Sequence, residues 1–306
     1  MTKPFRGLLV PITTPFDRVS GDVAPVALRE NARVLLEQGV DGILAAGSTG
    51  EAPLLSDEEY RQVVGWLRDV VPDDRLLLAG TGRESTRSTV AACRAAAEEG
   101  ADAVLVRPPA YFAPSLDGNA LIAHFRQVAD ASPLPVLLYN IPKYTHVSLS
   151  EQVVTAFADH ENVVGGKDSS GDLKNFAAYR AAAPRWSLFV GSGSHYYAAM
   201  ELGAVGGILA VSTFAASIAV QVTRAFAAGD RSQAGAAQER LTPLNQAVVG
   251  ALGVPGVKAA MDVVGLEGGA VRSPLRDLSH HERERIATLL AGAGLAAPEG
   301  VRHVRC

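Results

Sequence analysis

Short apolar runs alternate with longer amphipathic segments along most of the chain. Runs of this length that are rich in Val, Leu, Ile and Gly are typical of buried parallel strands. Eight are predicted as strands: residues 7–12, 42–46, 76–80, 103–107, 135–140, 163–168, 188–191 and 206–211. The segments between them are predicted as helices: residues 27–38, 57–70, 88–99, 118–131, 150–159, 173–183 and 195–202. This alternation favours a (β/α)8 TIM barrel, with a doubly wound sheet as the second choice.

A repeated tripeptide precedes several of the predicted strands. Gly39-Val40-Asp41 and Gly100-Ala101-Asp102 share it, and Gly203-Ala204-Val205 is a variant. Glycine commonly ends helices because it adopts positive φ without steric cost. The repeat therefore predicts helix ends that lead directly into the next strand.

The pattern becomes helical after the eighth apolar run. Helices are predicted at residues 215–228, 231–252, 257–265 and 279–293, with turns at Pro255-Gly256 and at 265–269. We therefore expect a barrel core over residues 1–213 and C-terminal helices over 214–295 that pack on it. Residues 296–306 are predicted to be a loose tail.

Composition narrows the classes of function. The chain has 306 residues, of which 48% are hydrophobic and 20% charged, and its formal net charge is -4. Without a basic excess, nothing favours a nucleic acid or an anionic membrane as partner, so a small-molecule substrate is expected. Cys93 and Cys306 give no disulfide framework, and no apolar run resembles a signal peptide or a membrane span. These features predict a cytoplasmic protein.

Lys167 is the one lysine that lies within a predicted strand. It follows Val163-Val164-Gly165-Gly166 and precedes a polar stretch that begins at Asp168. Burial disfavours the charged form of an amine. A lysine in this position therefore either pairs with a carboxylate or is a neutral amine that attacks a carbonyl group. The strand alone leaves both interpretations open and favours the ion pair.

In a barrel of this kind, the residues at the C-terminal ends of the strands form the active site. Tyr139 ends the strand next to that of Lys167 and, by alternation, points inward with Leu137. Its phenol suits proton transfer during carbonyl chemistry, although a tyrosine that only packs in the core fits the pattern equally well.

Two glycine-containing turns are candidates for binding an anion. Gly47-Ser48-Thr49-Gly50-Glu51 follows the second strand, and its hydroxyls and amides suit a carboxylate, although an ordinary βα turn fits as well. Ser56 is the better helix cap nearby. Gly191-Ser192-Gly193-Ser194 resembles the phosphate site of TIM barrels, which keeps a phosphosugar enzyme as an alternative, although the turn has no lysine or arginine.

Other residues with reactive side chains are expected to have structural rather than catalytic roles. His280-His281-Glu282 lacks the spacing of a histidine metal motif and is expected to be a solvated helix start. Cys93 lies within a predicted helix and is expected to pack. No metal site is predicted.

In combination, four motifs resemble the dihydrodipicolinate synthase / N-acetylneuraminate lyase family of Schiff-base aldolases, from Gly7 to Leu275. They are Gly-Ser-Thr-Gly-Glu at 47–51, Tyr-Asn-Ile-Pro at 139–142, Gly-Lys-Asp-Ser-Ser-Gly at 166–171 and Gly-Ala-Val-Gly-Gly-Ile at 203–208. The resemblance implies that Lys167 forms an imine with pyruvate or another 2-oxo acid, with no further cofactor. It implies that Tyr139 relays protons.

The same resemblance assigns roles to further residues. Ser48 and Thr49 would hold the substrate carboxylate and complete the proton relay, with Thr49 counted as catalytic, and Ile208 would line the pocket. Gly191, at the end of the seventh predicted strand, is expected to contact the substrate because of its position. Tyr111 matches an aromatic residue that family members insert into a neighbouring subunit's site. A homo-oligomer, either a tetramer or a dimer, is therefore expected.

The substrate expectation depends on Tyr144. Synthases of this family have an arginine five residues after the catalytic tyrosine, and here that position is Tyr144, which has no charged fork. The stretches 253–262 and 272–275, with Gly47-Ser48, look closer to 4-hydroxy-2-oxoglutarate aldolases. We therefore expect cleavage of a 4-hydroxy-2-oxo acid, either 4-hydroxy-2-oxoglutarate or a 2-keto-3-deoxy sugar acid. The alternatives are 4-hydroxy-tetrahydrodipicolinate synthesis from pyruvate and aspartate semialdehyde, a phosphosugar enzyme, or a metabolite sensor without catalysis.

Overall fold

The computed structural model describes residues 3–295, and eight parallel strands form a closed barrel in chain order. Closure confirms the (β/α)8 fold and excludes the doubly wound sheet. The strands are β1 Gly7–Pro11, β2 Gly42–Ala45, β3 Leu76–Gly80, β4 Ala103–Val106, β5 Val136–Asn140, β6 Val163–Asp168, β7 Ser187–Val190 and β8 Gly206–Ile208. The eighth strand is shorter than predicted because the chain turns at Leu209 and enters a helix at Ser212.

Helices follow the strands around the barrel and continue beyond it. They are α1 Pro25–Glu37, α2 Asp57–Arg68, α3 Thr86–Glu98, α4 Gly118–Ala131, α5 Pro142–Thr145, α6 Glu151–Thr155, α7 Leu173–Ala182, α8 Tyr196–Glu201, α9 Ser212–Ala227, α10 Arg231–Leu244, α11 Ala251–Val263 and α12 His280–Gly292. The sequence did not predict α5, since a single turn is too short to show a helical period. The helix predicted at residues 150–159 is longer than α6, which ends at Thr155.

The Gly-x-Asp repeat ends helices, as predicted, and also joins strands. Gly39 has φ 93° and Gly100 has φ 84°, so both adopt the left-handed conformation that favours glycine. The aspartate that follows accepts a hydrogen bond from the preceding strand: Asp41 from the Leu8 amide at 2.7 Å, and Asp102 from the Leu77 amide at 2.8 Å. Each repeat therefore ends a helix and ties the incoming strand to its neighbour.

Large apolar side chains fill the barrel interior. The interior cluster consists of buried residues that alternate along the strands, including Leu9, Leu44, Leu78, Leu105, Leu137, Phe189 and Ile208. Tyr139 belongs to the same cluster, which confirms the prediction that it points inward with Leu137. The interior is therefore packed, and access is from the C-terminal ends of the strands.

The C-terminal helices differ from the prediction at Pro255-Gly256. Instead of a turn, α10 continues through a π-helical segment, Asn245–Gly250, into α11, which contains both residues. The helical backbone is interrupted at Gly253, where φ is 62° and ψ is -145°. This interruption lies beside the mouth of the barrel. The predicted tail, residues 296–306, lies outside the described residues.

Candidate active site

Lys167 and Tyr139 lie side by side in the barrel. They are paired residues of β6 and β5, and the Lys167 Nζ atom lies 3.2 Å from the Tyr139 hydroxyl and 4.3 Å from the centre of its ring. Both side chains are buried, with exposed fractions of 6% and 5%. Within the described chain, the polar partner of the Lys167 amine is this phenol rather than a carboxylate. The geometry therefore favours the nucleophile over the structural ion pair.

Hydrogen bonds at the strand ends fix the two residues. The side-chain amide of Asn140 donates through Nδ2 to Asp168 Oδ1 at 2.8 Å. Its Oδ1 accepts from the backbone amide of Leu149 at 3.0 Å. The Ser169 hydroxyl lies 3.5 Å from that of Tyr139. Sequence reasoning gave Ser169 no role, because its pairing with Tyr139 exists only once β5 and β6 are adjacent.

Gly191 provides the space that Lys167 and Ser169 occupy. A Cβ atom at this position would lie 1.8 Å from Ser169 Oγ and 2.9 Å from Lys167 Cε. Both are far below a normal van der Waals contact. Gly191 is therefore required by the site itself, in addition to lining the pocket as expected.

The Lys167 amine faces an open pocket of about 190 Å³ at the C-terminal ends of the strands. Seven of the predicted site residues line this pocket: Lys167, Tyr139, Ser48, Thr49, Ile208, Tyr144 and Gly191. Lys143 and Asn245, which had no predicted role, also line it, as does Ser192 of the turn considered as a phosphate site. The fold thus brings together residues from six separate stretches of sequence.

The turn that carries Ser48 and Thr49 is tightly constrained. The amides of Gly50 and Ala52 both donate to the Gly47 carbonyl, at 3.1 and 3.2 Å. Ala46 and Glu51, which flank the turn, have positive φ values of 46° and 56°, an uncommon conformation for side chains with a Cβ. Such strain persists only where surrounding contacts impose it. The turn leads into a three-residue 3-10 helix, Ala52–Leu54, and Ser56 caps α2 as predicted.

A buried ion pair behind this turn was not predicted. Glu51 Oε1 lies 2.5 Å from Lys258 Nζ, and the two side chains are 1% and 2% exposed. The ammonium also donates to the carbonyls of Thr14 at 2.7 Å and Ala270 at 2.6 Å. Burial, against the attraction of Glu51, lowers the pKa of Lys258. The pair connects α11 to the turn that holds Ser48 and Thr49.

The Gly191-to-Ser194 turn is packed against the C-terminal helices. Asn245 donates to Ser194 Oγ at 2.9 Å, and its Oδ1 would lie 2.8 Å from a Cβ atom at Gly193. Asn245 thus occupies the space next to the turn and brings no positive charge. This arrangement gives no support to the phosphosugar alternative.

Tyr144 and Lys143 reach the pocket from the short helix α5. Partial burial and the neighbouring Tyr139 raise the pKa of the Tyr144 phenol, which is 49% exposed, so this side chain is a neutral hydrogen-bonding group. The Lys143 ammonium donates to the Gly250 carbonyl at 3.2 Å. The mouth of the pocket therefore carries one phenol and one cation.

Tyr111 does not line this pocket. Its side chain is 80% exposed and packs edge-on against Phe112, with ring centres 5.0 Å apart. Glu84 holds this loop by accepting from the amides of Ala110 and Tyr111, both at 2.9 Å. The role of Tyr111 in a neighbouring subunit stays a prediction.

The remaining candidates lie away from the pocket. Ser279 and Glu282 form a capping box at the start of α12, and Cys93 is buried with its thiol 3.4 Å from the Thr81 hydroxyl. Within residues 3–295 no three His, Cys, Asp or Glu side chains are grouped to hold a metal ion. The same residues include no helix with the length and apolar character needed to cross a bilayer.

Comparisons with known proteins identify the relatives of this chain. The profile of the dihydrodipicolinate synthetase family matches residues 4–293. A 4-hydroxy-tetrahydrodipicolinate synthase from Synechococcus sp. (strain CC9605) is 38% identical over 290 residues, covering 94% of this chain and 95% of that protein. An uncharacterized DapA-like lyase from Halobacterium salinarum (strain ATCC 29341 / DSM 671 / R1) is 35% identical, covering 95% and 94%.

A solved structure shows the same fold around a bound 2-oxo acid. The chloride-inhibited dihydrodipicolinate synthase from Acinetobacter baumannii, complexed with pyruvate, superposes with a TM-score of 0.90. Its sequence is 32% identical, and the match covers 95% of this chain and 100% of that one. The chain described here belongs to the dihydrodipicolinate synthetase family and is a lyase of that family.

Proposed function

We propose that the protein forms an imine between Lys167 and pyruvate and uses the resulting enamine to make or break a carbon–carbon bond with an aldehyde. The observation that carries this proposal is the buried Lys167 amine, 3.2 Å from the Tyr139 hydroxyl and open to the pocket. An amine so placed adds to a carbonyl, and a phenol within hydrogen-bond reach transfers the protons that the addition requires.

Each step of the proposed reaction balances without an added cofactor. The amine adds to C2 of pyruvate, and loss of water gives the imine. Removal of a C3 proton gives the enamine, whose C3 bonds to the aldehyde carbon while the aldehyde oxygen takes up a proton. Water then hydrolyses the imine and regenerates Lys167. Ser48 and Thr49, which line the same pocket, hold the pyruvate carboxylate in this proposal.

For the aldehyde, the relatives favour aspartate semialdehyde. The synthase from Synechococcus and a second one from Streptomyces coelicolor are 38% and 37% identical to this chain. The sequence analysis gave this synthase reaction as an alternative to cleavage of a 4-hydroxy-2-oxo acid. We therefore take 4-hydroxy-tetrahydrodipicolinate synthesis as the first candidate reaction.

Cleavage of a 4-hydroxy-2-oxo acid is the second candidate, and Tyr144 favours it. This residue lines the pocket at the position where the synthases have an arginine. A neutral phenol lacks the bidentate, charge-assisted contact that an arginine makes with a carboxylate, which weakens the case for a semialdehyde. Hydroxyl groups suffice to orient the neutral, hydroxylated aldehyde half of a 2-keto-3-deoxy sugar acid.

Borohydride reduction in the presence of pyruvate tests the imine. We expect a stable pyruvate adduct, located on Lys167 by peptide mass spectrometry, and no adduct in Lys167→Ala. Lys174→Met is a matched control, because Lys174 is an exposed lysine at the start of α7, outside the pocket. Absence of the adduct in the wild type, or equal labelling of Lys167→Ala, refutes the proposal.

Specificity constants measured on one preparation decide between the two reactions. Pyruvate plus aspartate semialdehyde is compared with 4-hydroxy-2-oxoglutarate. An advantage of more than tenfold for the semialdehyde selects the synthase and shows that another group replaces the missing arginine. The reverse result selects cleavage.

The exposed pair Tyr111 and Phe112 supports a further proposal, that the protein works as an oligomer. Two adjacent aromatic side chains with exposed fractions of 80% and 66% are uncommon on a surface that stays in water. In this proposal Tyr111 enters a neighbouring subunit's site. Sedimentation velocity tests it, and a monomer at working concentration refutes it.

A further inference from the structure

Lys143 stands at the mouth of the active-site pocket with most of its hydrogen-bonding capacity unused. Its ammonium donates to the Gly250 carbonyl at 3.2 Å and lies 5.7 Å from the centre of the Tyr144 ring. An ammonium group has three donors. In the described part of the chain no carboxylate pairs with Lys143, so two donors remain for a ligand or water.

The pocket is lined by basic side chains without acidic ones. Of the described residues that line it, the basic ones are Lys143 and Lys167, and none is an aspartate or a glutamate. Imine formation uses the Lys167 amine for the pyruvate half of the substrate. Lys143 is then the cation available to the aldehyde half.

Other nearby cations are already engaged. Arg107 pairs with Glu84 at 2.9 Å and donates to the Pro108 carbonyl at 2.8 Å, and it lines a separate cavity of about 30 Å³ beside Ser48 and Tyr139. Lys258 is saturated by the three buried oxygens of Glu51, Thr14 and Ala270. Neither reaches the mouth of the main pocket.

We propose that Lys143 determines specificity by binding a carboxylate on the aldehyde half of the substrate. This inference rests on the pyruvate-imine function proposed above. It selects aldehydes that carry an acid group, such as glyoxylate or aspartate semialdehyde, over neutral sugar aldehydes. It thereby narrows both candidate reactions to substrates with two carboxylates, and it places the charge one residue before Tyr144.

Two 2-oxo acids of equal length isolate the distal carboxylate. 2-Oxoglutarate and 2-oxopentanoate differ only in whether a carboxylate or a methyl group ends the chain. Each is measured as a competitor of pyruvate in the borohydride trapping assay, and the ratio of the two inhibition constants is compared among variants. The ratio cancels effects that act on both ligands, including losses of active protein.

In Lys143→Met we expect the preference for 2-oxoglutarate to fall by about five- to tenfold, which lies between the effect of an exposed ion pair and that of a hydrogen bond to a charged group. Lys143→Arg keeps the charge and is expected to retain most of the preference. Lys174→Met, at the same end of the barrel, controls for long-range attraction of anions. A change in the ratio of less than fivefold in Lys143→Met, or an equal fall in Lys174→Met, overturns the inference.

The assay separates this inference from the function on which it rests. If pyruvate gives no adduct with the wild type, the imine function fails by itself. Calorimetric titration of the same two oxo acids then applies the same fivefold criterion to Lys143. If the adduct forms and the ratio does not respond to Lys143→Met, the imine function stands and Lys143 has no role in specificity.

Discussion

Lys258→Met tests whether the buried pair with Glu51 holds the C-terminal helices to the barrel. Lys258 donates to two carbonyl oxygens and forms an ion pair with Glu51, and its side chain is 2% exposed. Methionine has a similar length and no donor. The substitution therefore leaves the Glu51 carboxylate buried with the Arg272 amide, at 2.9 Å, as its remaining donor.

The magnitude follows from the asymmetry of buried ion pairs. Removing one partner of such a pair costs about 3–5 kcal/mol, because the other charge stays buried without compensation. Two carbonyl groups, those of Thr14 and Ala270, lose a donor as well. We therefore expect the free energy of unfolding to fall by about 3–5 kcal/mol.

The lowered pKa of Lys258 leads to a second expectation for the same pair. Burial disfavours the ammonium more than the carboxylates of Glu51, Asp277 and Asp262 favour it, so desolvation offsets part of the attraction within the pair. Neutralising both partners, in Lys258→Met/Glu51→Gln, is therefore expected to recover part of the loss. The recovery is measured relative to the single substitution.

Denaturant unfolding followed by circular dichroism gives the comparison, with the midpoint and slope reported separately because a chain of this size need not unfold in one step. Lys174→Met serves as the exposed control. A loss of less than about 1 kcal/mol in Lys258→Met refutes the reasoning. A double variant less stable than the single one would show that the pair stabilises the fold by itself.

Three further predictions concern the site and its surroundings. Gly191→Ala is expected to abolish trapping of pyruvate on Lys167, since its Cβ would lie 1.8 Å from Ser169 Oγ; trapping at the wild-type rate would contradict this. Tyr111→Phe is expected to lower turnover several-fold with trapping largely retained, as steady-state and trapping rates on one preparation will show. Burial lowers the pKa of His124 from 6.5 to about 4, so as the pH falls the imidazole of His124 is protonated in the unfolded chain before it is protonated in the folded one. Stability is then lost between pH 6.5 and 4, by roughly 2–3 kcal/mol; urea titrations of wild type, His124→Asn and the exposed control His280→Asn should show the loss reduced only in His124→Asn.

Much of the barrel could be predicted because its signals are local. Alternation places Tyr139 with Leu137, and glycines with φ near 90° end the helices before Asp41 and Asp102. The prediction was wrong where local signals conflict with packing. Pro255 and Gly256 predict a turn, yet they lie inside α11. The helical backbone is interrupted two residues before Pro255, at Gly253, so the proline lies in the first turn after the interruption, where it is tolerated.

The site was predictable to the extent that one lysine differs from the others in its local sequence. Lys167 lies at the end of a strand, and because the strand ends of a barrel meet at one face, this position also predicts Tyr139 and the 47–51 turn as site residues. Lys258 and Lys143 have no such signal. The first is buried only because residues far apart in sequence, Thr14 and Glu51, meet α11 behind the turn. The second reaches the pocket because a one-turn helix, too short for any period, follows β5. Lys143 thus reaches the mouth of the pocket through tertiary structure, and the proposal that it helps to select the aldehyde could not have come from the sequence pattern. The substrate choice based on Tyr144 stays a prediction, which the two specificity constants test.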